Sequence, residues 1–387
     1  MMATAPFPFV AVLPPGLEEV AAAELTALGA TDMKPGRLQA SGRCDLATYY
    51  RLHLRARLPF RLLRTLARFP CGNREALAAG VQAAADWQRW LPPEASLRVE
   101  ASGVTPALPH SHYTALTVKN ALVDLQRQRW GARSSVNLDD PDLALHLHLG
   151  GAGSREGSTA TLSLDGSGGS LHRRGSRPAM GLAPLKENLA AGLIALTGWD
   201  GRVPLADPLC GSGTLLIEAA CLALGKAPGL GRSFALERWP DFDRQLWQQE
   251  RDAAAALALP PESPLAPIVG MEQDAGVLEQ ARHNAEAAGV AGALDLRQGD
   301  CRDFMPPPGP GVLVCNPPYG ERLGHAEALE PLYADLGRMV KERCGGWSLW
   351  LLSGNPELTG ALKMKASRRI PISNGGIDCR WLHYEIR

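Results

Sequence analysis

Two hydrophobic rhythms divide this chain. Up to about residue 165, short apolar alternations of period two mix with helical stretches in no fixed order. FVAVLP at the start reads as a strand. PPGLEEVAAAELTALGA reads as a helix with Pro and Gly at its entrance and Gly29 at its exit. GVQAAADWQRWL predicts a short helix, SLRVEAS a strand and HYTALTVKNALVDLQRQRW a longer helix. DLALHLHLGG and TATLSLDGSG then predict two alternating strands around a Gly-rich turn. From residue 200 the pattern becomes regular. RVPLADPL, PIVGME, ALDLRQGD, GVLVC and GWSLWLLSG read as strands separated by helical segments, with two further strands at 366–372 and 380–386. Such alternation predicts a doubly wound α/β sheet. The expected organisation is a mixed α+β front module over 1–165 and an α/β unit over 166–387.

Two stretches break these rhythms. Residues 166–180, GSGGSLHRRGSRPAM, are rich in Gly, Ser and Arg and read as a linker. Residues 226–265, rich in Pro, Trp and charge, interrupt the strand–helix alternation and read as an insertion or a long loop.

Composition narrows the class. The 387 residues carry 40 Lys+Arg against 40 Asp+Glu, with 45% hydrophobic residues. No run of about 18 apolar residues is present, so no membrane span is expected. The start lacks a basic segment followed by an apolar one, so a cytoplasmic protein without a secretory signal is expected. Eight cysteines (Cys44, Cys71, Cys210, Cys221, Cys301, Cys315, Cys344, Cys379) are dispersed, with no CxxC pair and no zinc spacing. They read as buried thiols, and no metal is expected. His146 and His148 alternate along one predicted strand and read as a surface pattern. Residues 1–180 hold 20 basic and 15 acidic side chains; residues 181–387 hold 20 and 25. That asymmetry is what a nucleic-acid-docking module joined to another unit would show, and ordinary scatter gives the same. Arg57, Arg61, Arg64 and Arg68 form one stripe if their segment is helical, read either as a solvated face or as phosphate contacts; Pro59 argues against an unbroken helix.

The chemistry lies in the second half. DPLCGSGT, Asp207 to Thr214, forms the first strand–helix turn. Gly211 and Gly213 permit close backbone approach to a ligand at a helix N-terminus. Leu216 occupies the third glycine position of a dinucleotide fingerprint, and no Lys-Ser/Thr follows, so neither a dinucleotide nor a phosphate loop is indicated. Glu272 ends the next strand, placed for ribose hydroxyls. Asp300 ends the one after, placed for an adenine amine. An adenosine without phosphates, attached to a sulfonium, fits this set: S-adenosyl-L-methionine. Asn316-Pro317-Pro318-Tyr319 ends the following strand. A nucleobase amine is a poor nucleophile because its lone pair is delocalised. The Asn316 amide oxygen and the Pro317 carbonyl can accept its two hydrogens and localise that pair, the prolines stiffen the turn, and Tyr319 offers a ring for a flipped base.

With DPLCGSGTLLIEAA, NPPYGERL and LHRRGSRPAMGLAPLKENLAA together, the chain resembles the bacterial large-subunit ribosomal RNA guanine-N2 methyltransferases (RlmL-like). These are class I, Rossmann-like methyltransferases carrying a THUMP domain. The resemblance implies a ferredoxin-like segment over 1–60, an RNA-binding THUMP module over 61–165 and a seven-stranded methyltransferase domain over 166–387. It implies that Asp207, Cys210, Gly211, Gly213, Thr214, Glu272 and Asp300 hold S-adenosylmethionine, with Glu272 standing where the family often has Asp. It also implies that Asn316, Pro317, Pro318 and Tyr319 hold the target base, and that Glu321 and Arg322 touch RNA or brace the loop. The expected reaction is methylation of guanine N2 in 23S ribosomal RNA. Transfer RNA as substrate, adenine-N6 methylation of DNA (NPPY is shared with those enzymes) and a non-catalytic RNA-binding assembly factor remain open. Some members carry a second methyltransferase domain, which is not expected where the chain ends at Arg387.

Overall fold

The computed structural model describes residues 5–151, 157–174, 185–260, 263–319 and 325–387. The front half is built on strands β1 (Phe7–Val12), β2 (Thr31–Gly36), β3 (Gln39–Cys44), β4 (Arg61–Pro70), β5 (Leu97–Ser102), β6 (Leu143–Gly150) and β7 (Thr159–Asp165). They form one sheet in the order β2-β3-β1-β4-β7-β6-β5. Only β5 and β6 pair in parallel; the other neighbours are antiparallel. The helices are α1 (Glu18–Ala27), α2 (Leu46–Arg55), α3 (Arg74–Ala83), α4 (Trp87–Trp90) and α5 (Ser111–Trp130). Their ends follow local chemistry. The Asp45 carboxylate accepts from Thr48 N at 2.8 Å to open α2, and Gly131 at φ +69° closes α5.

The arginine stripe is not helical. Residues 61–70 are β4, held between β1 and β7, because two antiparallel ladders and the burial of Leu62 and Leu63 outweigh a helical spacing that Pro59 had already weakened. Nor is most of the stripe a solvated face, although Arg68 is exposed. Arg61 pairs with Glu100 at 2.7 Å and buried Asp165 at 3.0 Å, and Arg64 pairs with Asp241 at 2.5 Å. His146 and His148, read as a surface pattern, are half-buried; burial lowers the His146 pKa to about 4.

The second half carries β8 (Leu205–Asp207), β9 (Ile268–Glu272), β10 (Asp295–Gln298), β11 (Val312–Cys315), β12 (Ser348–Ser353), β13 (Arg368–Asn374) and β14 (Ile377–Glu385). Their order is β10-β9-β8-β11-β12-β14-β13, parallel from β10 to β12, with β14 and β13 antiparallel. Helices α6 (Glu187–Thr197), α7 (Thr214–Ala223), α9 (Ala275–Ala287), α10 (His325–Arg343) and α11 (Pro356–Ala361) accompany it, and α8 (Arg244–Ala255) lies in the insertion. One core joins β8, α6 and α7 to the front sheet; a second lies between α10 and the β11–β12–β14 face. This is the doubly wound seven-stranded sheet expected from the alternation.

The insertion and the connector join the two halves. Trp239 stacks on Tyr49 at 6.0 Å and Trp247 meets Tyr50 edge-on at 5.2 Å. The Arg51 guanidinium reaches Glu250 at 2.7 Å. The Gly229 backbone runs so close to α2 that a Cβ there would lie 2.4 Å from the His53 carbonyl oxygen, and its N–H donates to Leu54 O at 2.9 Å. The expected linker is packed over 166–174; its part from 175 to 180 lies outside the described residues. Ser167 is fully buried and its hydroxyl accepts from Leu62 N at 2.9 Å. Arg174 meets Glu218 of α7 at 2.6 Å, both side chains under a tenth exposed. Arg57, on the front module, approaches the same carboxylate at 3.8 Å and donates to the carbonyls of Cys221 and Lys226 at the end of α7.

Among the described residues Glu218 is therefore the carboxylate that ion-pairs with both Arg57 and Arg174. Glu218→Gln keeps the shape but removes the carboxylate that both guanidinium groups meet, and breaking a buried pair in this way costs about 3–5 kcal/mol. Urea denaturation followed by tryptophan fluorescence should show the midpoint falling accordingly; an unchanged midpoint means the cluster is solvated.

Candidate functional site

The site is set by the ends of parallel strands. β8 lies between β9 and β11, paired Asp207 to Gly270 on one side and Ala206 to Leu313 on the other. The chain proceeds from β8 outward through β9 and β10, then returns to the opposite side of β8 for β11. The crevice at that reversal is where doubly wound sheets take ligands. Asp207 ends β8, Glu272 ends β9, and Cys315 ends β11 with Asn316 next in sequence.

The turn after β8 is shaped by backbone. Gly211 has φ +54° and Gly213 has φ +80° at the N-cap of α7. A Cβ on Gly211 would meet nothing within 4 Å, so its glycine serves conformation and leaves the turn open. Gly211 N–H donates to Glu272 Oε2 at 3.1 Å and Asp274 N–H donates to Glu272 Oε1 at 2.9 Å. Each Glu272 oxygen thus retains acceptor capacity for one more donor, as a diol requires. Asn284 of α9, fully buried, donates to Ser212 O at 3.2 Å and fixes the turn from beneath. Cys210 contributes backbone, its N–H donating to Met271 O at 2.9 Å, while its buried thiol packs beside Gly270. Thr214 is buried as the first residue of α7.

Asp207 is 2% exposed and forms no ion pair among the described residues. Burial pushes its pKa up to about 7; the Leu209 N–H at 3.0 Å and the neighbouring Cys315 thiol oppose the rise, and the Glu272 charge adds to it. A buried carboxyl without a counter-charge, beside an open turn, suits a cationic ligand. Asp300 differs. Arg302 holds its carboxylate through Nη2 at 2.6 Å and Nε at 2.9 Å, and keeps its pKa low, at about 2. It stands next to Glu272, since Gly299 N–H donates to Glu272 O at 3.1 Å, but its oxygens already have donors.

Asn316 follows directly on Cys315. Its Oδ1 is buried and accepts no hydrogen bond among the described residues. An unmet acceptor of this kind costs about 1–3 kcal/mol and calls for an explanation. Pro317 is buried and Pro318 exposed, with the Pro318 carbonyl accepting from Tyr333 Oη at 3.2 Å. Tyr319 is half-buried, its ring against Gly354 and its hydroxyl accepting from Asn374 Nδ2 at 2.8 Å. Glu321 and Arg322 lie outside the described residues. The sequence reading missed Asn284, Tyr333 and Asn374. Asn374 opens an Asn-Gly-Gly run, whose composition signals only a turn. No group of three His, Cys, Asp or Glu able to hold a metal is found among the described residues.

The Asp207 value has two measurable consequences. Because its folded pKa lies above the unfolded one, its contribution to stability is full below about pH 4 and is lost as the pH rises through 7. Asp207→Asn should flatten that part of the melting-temperature profile. The anion is the form that complements a cation, so affinity for S-adenosylmethionine should fall by about tenfold per pH unit below 7. The variant should bind weakly at every pH. Calorimetric titrations from pH 8 to 5.5 decide the matter, and a flat wild-type profile removes Asp207 from the pocket.

Comparison with known proteins now adds to the geometry. Residues 174–383 match the family described as RMKL-like, methyltransferase domain; residues 74–154 match the THUMP domain and residues 8–63 the RlmL ferredoxin-like domain. The chain is 41% identical over 380 residues to slr0064 of Synechocystis sp., whose name provisionally assigns it as an RNA methyltransferase, covering 98% of this chain and 97% of that one. It is 39% identical over 383 residues to the ribosomal RNA large subunit methyltransferase K/L of Methylococcus capsulatus, and spans 51% of that longer protein. Among solved structures, SMU.472, provisionally named a methyltransferase and solved with SAH, superposes with a TM-score of 0.85 at 29% identity over 100% of this chain and 99% of that one. An open glycine turn, a buried carboxyl without an ion pair among the described residues and a strand-end glutamate with spare acceptor sites fit the cofactor of such enzymes. The chain therefore belongs to the RMKL-like methyltransferase family, whose methyl donor is S-adenosylmethionine, with ferredoxin-like and THUMP domains preceding the catalytic one.

Proposed function

We propose that this protein methylates RNA at the exocyclic N2 amine of a guanosine in the large ribosomal subunit, with residues 1–60, 61–165 and 166–387 as its ferredoxin-like, THUMP and catalytic parts. The observation that carries the reading is the buried Oδ1 of Asn316, without a hydrogen-bond partner among the described residues, at the strand end adjoining Asp207. It is an acceptor waiting for a donor, and an exocyclic amine is such a donor. The THUMP match and the names of the K/L relatives support RNA, and the large ribosomal subunit within it.

In this reading Asp207, Glu272 and the 211–214 turn hold the cofactor, with Asp300, whose Oδ2 accepts from Arg302 Nη2 and keeps one lone pair, completing its adenine side. The bound cofactor supplies an electrophilic methyl on a sulfonium that departs as a neutral thioether. Asn316 Oδ1 and the Pro317 carbonyl would accept the two amine hydrogens and turn the nitrogen lone pair toward that methyl, so that the N–C bond forms as the C–S bond breaks and the excess proton on nitrogen then passes to solvent. Tyr333 occupies the Pro318 carbonyl and so steadies the turn that carries both acceptors. The Asn374 bond to the Tyr319 hydroxyl sets the tilt of the ring on which the extruded base stacks. Rate comes from positioning and from acceptors placed before the reaction begins.

Radiolabelled methyl transfer onto undermethylated 23S ribosomal RNA, transfer RNA and duplex DNA tests the substrate class, with nucleoside mass spectrometry identifying the product. Label in N2-methylguanosine of 23S RNA is expected; label on DNA alone overturns the reading. Asn316→Ala should lower single-turnover methylation by about a hundred- to a thousandfold, the range for loss of one preorganised hydrogen-bonding group. Its cofactor affinity should remain that of wild type. A fully active variant removes Asn316 from the reaction.

A further inference from the structure

The catalytic half has an acidic surplus, yet one edge of it is strongly basic. Lys363, Lys365, Arg368 and Arg369 fall within seven residues without an acid among them, and all four are exposed. None forms an ion pair among the described residues. On the neighbouring strand Arg380 is likewise exposed, and among the described residues its guanidinium donates only to the adjacent Cys379 carbonyl at 3.3 Å.

Strand register brings two of these cations to one cleft. Arg369 pairs with Leu382 and Pro371 with Arg380, so Arg369 and Arg380 are diagonal neighbours on one face of β13–β14. That face lines a cleft of about 430 Å³ whose wall also includes Ser353, Gly354 and Asn355 at the carboxyl end of β12, with Asp378 as its one acid. Gly354 is shared with the base site: a Cβ there would lie 3.3 Å from Tyr319 Cδ2. One glycine therefore separates the arginine cleft from the ring proposed to stack the target base. The opposite side of β13 is near the front module, where a Cβ on Gly16 would meet the Pro371 carbonyl oxygen at 2.2 Å.

We propose that Arg369 and Arg380 form a phosphodiester-binding site that grips the RNA backbone beside the extruded nucleotide. Turning a base out of its stack rotates it about the backbone, and a fixed grip on a flanking phosphate directs that rotation into the pocket. Two exposed guanidinium groups free of acid partners, facing one cleft, suit a phosphate in charge and in fork geometry. Asp378 beside them limits the site to one or two phosphates. The proposal rests on RNA being the substrate.

The test is the double variant Arg369→Ala/Arg380→Ala in the full chain, with Arg202→Ala, an exposed arginine before β8, as control. Binding of an undermethylated 23S fragment is measured by fluorescence anisotropy between 50 and 200 mM salt, as probe concentrations on the order of those used for counterion-release slopes. The double variant should bind about tenfold or more weakly, with the slope of log K against log salt reduced by about one per lost contact. Single-turnover rate at saturating RNA should also fall, because the flanking phosphate no longer directs extrusion, while calorimetric affinity for S-adenosylmethionine should be unchanged, which also reports an intact fold. Arg369→Lys/Arg380→Lys should recover most of the slope. RNA affinity and slope equal to wild type in the double variant overturn the cleft proposal while wild-type methylation of RNA leaves the substrate reading standing. Wild-type protein that neither binds nor methylates RNA overturns both.

Discussion

The adjacency of β8 and β11 governs the catalytic half. Because these strands are parallel neighbours, the turn after one and the turn after the other open on the same side of the sheet. The first of those turns is made of glycines and a buried carboxyl; the second is made of an amide and two prolines. They are more than a hundred residues apart in the chain, yet Asp207 and Cys315 end neighbouring strands, and the Cys315 thiol bears on the Asp207 carboxyl. Had β11 paired at an outer edge, neither turn would face the other and the same residues would carry no shared chemistry.

A second constraint is electrostatic and lies between the halves. Several of the arginines that make the front module look basic are engaged within the molecule. Arg51, Arg57, Arg61 and Arg64 each reach a carboxylate, three of them across to the insertion or α7. Glu218, on the helix that begins at the glycine turn, sits at the centre of this arrangement with Arg57 and Arg174. The insertion that breaks the strand–helix alternation is accordingly a bracket, its tryptophans stacked on α2 tyrosines. Net charge per half thus says little about where an anionic ligand would lie. Exposed cations without an ion pair among the described residues lie on both halves, Arg68, Arg74, Arg89 and Arg133 on the front and Arg369 and Arg380 at the β13–β14 edge.

Much of this was present in the residue pattern alone. The α/β alternation from residue 200, the glycine turn at 207–214, Glu272 at a strand end and the Asn-Pro-Pro-Tyr run are local statements, fixed by periodicity, backbone freedom and ring constraint within a few residues. They determine that strands exist and that their carboxyl ends bear these groups. Tertiary structure decided what local rules do not reach. It made 61–70 a strand rather than a helical stripe, because two flanking strands supply its hydrogen bonds. It packed the glycine- and serine-rich connector over 166–174, because Ser167 and Arg174 meet partners far away in sequence. It chose Asn284 and Asn374 to hold the two turns, left Asn316 Oδ1 without a partner among the described residues, and engaged Asp300 with Arg302. Each of these depends on which atoms arrive from elsewhere in the chain, and a long-range pairing leaves no periodic trace in the segments it joins.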